Sequence, residues 1–121
     1  MTKEFIPYEQ ALELKELGFD EECLKWYYNG GEPTGDHIFL IYKKDSCFAL
    51  APLWQQAFRW FREKHDYEYR IRKLIEEDGY MASIGWAGVE DICEQAEGKT
   101  YEEAELACLN KLIEMVKNQK P

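Results

Sequence analysis

Two histidines, His37 and His65, are all that this 121-residue chain contains, and they stand 28 residues apart. Neither has a histidine or cysteine three or four residues away, so the ligand spacing of a zinc or iron site is missing. The four cysteines, Cys23, Cys47, Cys93 and Cys108, are scattered, and none forms a Cys-x-x-Cys pair. In a chain large enough for its own core, that pattern reads as free thiols in a reducing compartment. No apolar run approaches the roughly eighteen residues of a membrane span. Thr2, Lys3 and Glu4 follow Met1 where a secretory leader would turn apolar, so none is expected. The expected location is cytoplasmic, without membrane contact.

Positive charge is also short, with 15 Lys and Arg against 24 acids and a net charge of −9. The deficit is uneven. Residues 1–24 hold seven acids against Lys3 and Lys15, and residues 74–105 hold ten against Lys99. Residues 52–73 reverse the balance, with six bases against Glu63, Asp66 and Glu68. Such a molecule repels nucleic acid and anionic lipid at long range, and only its middle can offer a cationic surface.

What the chain does have is apolar material: 45% hydrophobic and 15% aromatic residues, too rich for a disordered segment. A domain of this size removes roughly two-thirds of its unfolded surface from water. One globular domain over 1–121 is expected, frayed over its last few residues.

Local signals divide the chain. Pro7 and Gly18 bracket a first helix that faces Tyr8, Ala11, Leu12 and Leu14 one way. Leu24–Tyr28 and Ile38–Tyr42 flank the turn-forming NGGEPTGD and read as a hairpin, the second strand apolar on both faces. PLWQQAFRWFREKH is a second helix, its arc of Leu53, Trp54, Ala57, Phe58, Trp60 and Phe61 spanning roughly 160°. Tyr67, Tyr69, Ile71 and Ile75 then alternate against Glu68, Arg70 and Arg72. After the tight-turn signal Glu77-Asp78-Gly79, the series Tyr80, Ala82, Ile84, Trp86 alternates likewise, which predicts a second hairpin. Residues 87–99 read as loop. Thr100 and Glu103 form a capping box for a third helix from Tyr101 to about Lys117. Its apolar arc covers roughly 200°, wide enough to be enclosed by the sheet and a second molecule. The predicted fold class is α+β, in the order α-β-β-α-β-β-α, two hairpins forming an antiparallel sheet packed by helices.

KTYEEAELACLNKL echoes IPYEQALELKEL near the start. Thr100 caps through its side chain whereas Pro7 acts through its fixed φ, and the segments diverge beyond Ala104 and Ala11. Shared helix-start chemistry explains the echo better than duplication.

Residues that could carry chemistry each meet a plainer account. Cys47 follows Lys43 and Lys44 but lies too far before Pro52 to gain from the helix dipole, and no feature brings a histidine to it. Cys108 falls in the apolar arc of the third helix and reads as a small buried hydrophobe, while Cys93, in a polar loop, is the expected reactive thiol. NGGEPTGD lacks the Lys-Ser/Thr of a phosphate loop. Asp20-Glu21-Glu22 and Glu76-Glu77-Asp78 lack the alternating pattern of a calcium loop. No cofactor, no metal and no catalytic pair is expected.

Three segments, IPYEQALELKELGFDEEC, APLWQQAFRWFREKH and TYEEAELACLNKLIEMVKN, together resemble short, acidic, uncharacterised proteins of phages and prophage-like elements in Bacteroidetes-type bacteria. The resemblance covers both ends and the middle helix, about half the chain. It implies a mobile-element origin and a cytoplasmic location inside a bacterium, and it brings no catalytic residues. GVEDICEQAEG is where such proteins are expected to vary.

The reading that follows is a small non-enzymatic protein whose partner is another protein. The candidate surface is Arg59, Arg62, Arg70 and Arg72 with Trp60 at the border of the buried arc, Arg and Trp being enriched at binding hot spots. The plainer account has these arginines pairing with surplus acids. The alternative function is accessory nucleic-acid binding through FRWFREKHDYEYRIRK, which would need aromatic and basic side chains on one surface. A homodimer through the C-terminal helix is the further expectation.

Overall fold

The computed structural model describes residues 4–35, 48–86 and 92–119. Its elements are α1 (Tyr8–Glu16), β1 (Lys25–Tyr28), β2 (Phe48–Ala51), α2 (Trp54–His65), β3 (Tyr67–Lys73), β4 (Tyr80–Trp86), β5 (Ile92–Gly98) and α3 (Tyr101–Gln119). The class is α+β, with three helices and two antiparallel sheets of two and three strands. The chain divides into two compact units, Met1–Ala57 and Phe58–Pro121.

In the first unit Pro7 sits at the N-cap of α1 with φ −60° and ψ 155°, one position earlier than expected. The helix ends in a Schellman motif. Gly18, at φ +101°, donates to Lys15 O at 3.1 Å, and Phe19 donates to Leu14 O at 3.0 Å. That bond turns Phe19 back beside Leu14, and both are buried. β1 pairs with β2 in the register Trp26↔Leu50 and Tyr27↔Ala49. On its other edge Trp26 exchanges two backbone bonds with Thr34, at 2.9 and 2.8 Å. The buried Tyr27 hydroxyl donates to Ile6 O at 2.7 Å, and the Tyr8 ring meets Tyr27 edge-on at 5.4 Å. The expected strand Ile38–Tyr42 lies outside the described residues. The partner that β1 shows is FALA, where alanines of low strand propensity obscured the pattern.

The second unit is a three-stranded meander, β3-β4-β5, with α3 lying against it. Asp66, at φ +60°, closes α2 by donating to Arg62 O at 3.1 Å and passes the chain straight into β3. The pairings Tyr69↔Ile84 and Ile71↔Ala82 put the alternating apolar residues on one face, as the period predicts. Three expectations are corrected. β3 stops at Lys73, and Leu74 N to Gly79 O (3.0 Å) closes a loop over Ile75–Asp78 in place of a tight turn. Ile75 sits in that loop, 99% exposed, and does not share the buried face. The segment read as a loop contains β5, which pairs with β4 through Ala82↔Ala96 and Ile84↔Glu94.

At the start of α3 the Glu103 amide donates to Thr100 Oγ1 at 3.1 Å, half of the capping box. The Glu103 carboxylate accepts from the Thr100 hydroxyl (3.3 Å) rather than returning to the Thr100 amide. Ala104, Cys108, Leu109, Leu112, Ile113 and Val116 form the buried stripe of α3. No described helix is long and apolar enough to cross a membrane.

Candidate binding surfaces

Alternation along β3 places the arginines. Tyr67 is buried and Tyr69 stacks on Phe58 of α2 at 4.1 Å, so the odd positions face the helices. Arg70 and Arg72 therefore stand on the opposite, open face, where Arg70↔Ser83↔Gln95 and Arg72↔Met81↔Glu97 form its rows. Arg62, one helical turn beyond Phe58, projects beside Tyr69 on the covered side, and its charge bears on that phenol. The four guanidinium side chains are exposed, but they form two pairs flanking the β3 margin rather than one patch. Trp60 is corrected. It is 3% exposed, meets Phe61 edge-on at 5.0 Å, and takes no part in a surface.

Arg62 has neighbours that sequence reasoning missed. Burial first, then the Tyr101 and Glu105 side chains, hold the Tyr69 phenol above its ordinary range, while Arg62 works the other way. Tyr101 is 42% exposed and meets Tyr80 edge-on at 5.7 Å. The Glu105 carboxyl is also raised, by burial and then by Glu102. The only advance signal was spacing: Tyr101, Glu105 and Cys108 recur at i, i+4, i+7 on α3.

Cys108 is fully buried, and burial followed by the nearby Glu105 pushes its thiol up to about 12. It is a packed hydrophobe and no nucleophile. Native protein is expected to leave Cys108 unalkylated by iodoacetamide at pH 8 while denatured protein reacts fully; rapid native labelling, located by peptide mapping, would refute this. The sign of the pH effect follows. The unfolded thiol loses its proton near its ordinary value of 9.0, whereas the native thiol retains it to about 12. The native state then binds more protons, so this contribution is present below pH 9 and is lost as pH rises toward 12. The side chains of Cys47 and Cys93 lie outside the described residues.

The first unit carries a pocket of about 710 Å³ that no sequence motif announces. Ala11, Phe19, Trp26, Phe48 and Leu50 supply its apolar lining; Asp20, Glu21, Glu22 and Cys23 form a wall, and Lys15 completes it. These residues come from α1, the segment after it, β1 and β2, so only folding assembles them. Gln56 secures the wall. Its amide donates to Glu22 O at 2.8 Å and its carbonyl oxygen lies 3.8 Å from Cys23 Sγ.

Beyond the buried stripe of α3, Leu106, Ala107 and Met115 are half-buried and Tyr101 is exposed. Among the described residues no three His, Cys, Asp or Glu side chains converge on a possible metal position. Compared with protein-family models, curated proteins and solved structures, the chain matches none.

Proposed function

We propose that this chain is a small non-enzymatic binding protein of a mobile genetic element, which docks on another protein through the arginines flanking β3. One observation carries the reading. Among the described residues Lys111 pairs with Glu94 at 3.5 Å and with Glu114 at 3.8 Å, whereas no carboxylate pairs with Arg59, Arg62, Arg70 or Arg72. In a chain of net charge −9, four exposed guanidinium groups left without a carboxylate suit an acidic partner surface. The mobile-element origin rests on the three segments whose resemblance was described above.

A second reading has its own observation. The Arg62 and Tyr101 side chains both act on the Tyr69 phenol, and Arg62 and Tyr101 are exposed. This is a grouping of cation and aromatic side chains of the kind that single-stranded nucleic acid requires.

The test reverses the charges pairwise, Arg59→Glu with Arg62→Glu and Arg70→Glu with Arg72→Glu, in variants whose folding is checked by their melting curves. Affinity capture from the native bacterium, followed by identification of the retained protein, is expected to fall about tenfold with at least one pair. Retention should also weaken as salt rises. Undiminished capture with both variants overturns the docking surface. Binding of single-stranded DNA by the parent, lost on reversal of Arg59 and Arg62, would put the nucleic-acid reading in its place.

A further inference from the structure

We propose that the pocket of the first unit binds an organic cation with an apolar body, an amine or guanidine carried on an aromatic or aliphatic stem. The inference is independent of the arginines, which belong to the other unit.

Shape comes first. A concavity of about 710 Å³ falls within the range of roughly 300–1,000 Å³ that small ligands occupy. Its aromatic lining is fixed from several directions. Phe19 is held by the Schellman bond to Leu14, and Trp26 by its paired backbone bonds to Thr34. The wall is fixed as well, through Gln56 to Glu22 O and through the Cys23 thiol, which donates to Glu21 O at 3.4 Å. A site held this way loses little entropy when it is filled.

Charge then selects the ligand. Asp20, Glu21 and Glu22 line the wall, and among the described residues none of them has an ion-pair partner. The Glu21 carboxylate acts on the pocket interior: after burial, it is the next cause holding the Cys23 thiol up, at about 12. Among the described residues of the lining the one cation is Lys15, and it is already engaged. Its ammonium donates to Phe48 O at 2.7 Å and lies 5.8 Å from the Phe48 ring centroid. Among the described lining residues an anion meets three carboxylates and one occupied ammonium. A cation gains the carboxylates, and its apolar body covers the lining of Phe19, Trp26, Phe48 and Leu50. A free amine and the basic side chain of a peptide share this chemistry.

The test uses the full chain and three probes followed by NMR at the Trp26 indole, assigned with Trp26→Phe: 2-phenylethylamine, 3-phenylpropionate as an anion on a similar body, and acetyl-Phe-Lys-amide. The amine is expected to saturate with a Kd below about 1 mM, with the anion at least about tenfold weaker. Glu21→Gln with Glu22→Gln should weaken the amine about tenfold while leaving the other indole resonances in place. Tighter binding of the peptide than of the amine assigns the site to a protein side chain, and the reverse order to a free amine. Failure of both cations to saturate by about 10 mM, or equal binding of the anion and the amine, overturns the proposal. That comparison needs no variant, so it stands even where the double substitution disturbs the fold.

Discussion

Gly98→Ala is expected to destabilise the protein by about 3 kcal/mol, the upper part of the range for overpacking a rigid site. Gly98 ends β5, and a methyl group there would lie 2.6 Å from the carbonyl carbon of Glu103 and 2.8 Å from Ala104 Cα. These atoms are backbone in the first turn of α3, so no rotamer can yield. Gly79 closes the corner from the hairpin side, its own hypothetical methyl 3.0 Å from Gly98 O. Relief would require α3 to move off the strand, and Ala104, Cys108 and Leu109 would lose packing with it. For a chain of this size the melting temperature should fall by about 10–15 °C. Gly18→Ala provides the contrast. No atom lies within 4 Å of its added methyl, and its cost comes from the left-handed backbone at φ +101°. That penalty is about 1–2 kcal/mol. Gly98 is not among the positive-φ glycines, so its substitution tests close approach alone. A Gly98→Ala protein that melts within about 2 °C of its parent would show that the strand and helix do not approach so closely.

The elements that were legible in the sequence are those whose chemistry is local. The buried positions Ala57, Phe58 and Phe61 of α2 follow from helical spacing, although Leu53, placed in the same arc, is exposed just before the helix. The β3–β4 register follows from alternation because one face is covered. β5 was not legible for the complementary reason. It is an edge strand whose Glu94, Gln95 and Glu97 are all exposed, and polar edges discourage unwanted pairing at the cost of any hydrophobic period. The candidate surfaces divide the same way. That the arginines are exposed was legible; that they fall on two sides of β3 depends on Phe58 stacking on Tyr69, a tertiary contact. Trp60 lay at the border of an arc, and helical spacing cannot say how far neighbouring elements wrap around it. The pocket gathers residues from four segments, and its fixing residue, Gln56, lies on what the helical pattern marks as the polar side of α2.

Two isoleucines of one hairpin should respond to the same substitution very unequally. Period-two reading places Ile75 on the face that also holds Ile84, through cross-strand pairing. Ile84 is 0% exposed, in the central strand, opposite Tyr69 on one side and Glu94 on the other. Truncating it leaves a cavity under α3 that a strand paired on both edges cannot collapse to fill. The expected cost of Ile84→Ala is about 2–5 kcal/mol, made up of lost transfer energy and the residual void. Ile75 lies two residues past the end of β3, in the loop closed by Leu74 and Gly79, and is 99% exposed. Ile75→Ala removes almost no buried surface from the folded state and should change stability by no more than about 0.5 kcal/mol. Urea unfolding of both variants checks this, through midpoints compared at equal slope, since a changed slope would report a changed denatured state. Equal losses at the two positions would put Ile75 in contact with something in solution. Repeating the Ile75→Ala measurement across protein concentrations then decides whether that contact is a second copy of the chain, because only an association makes the midpoint depend on concentration.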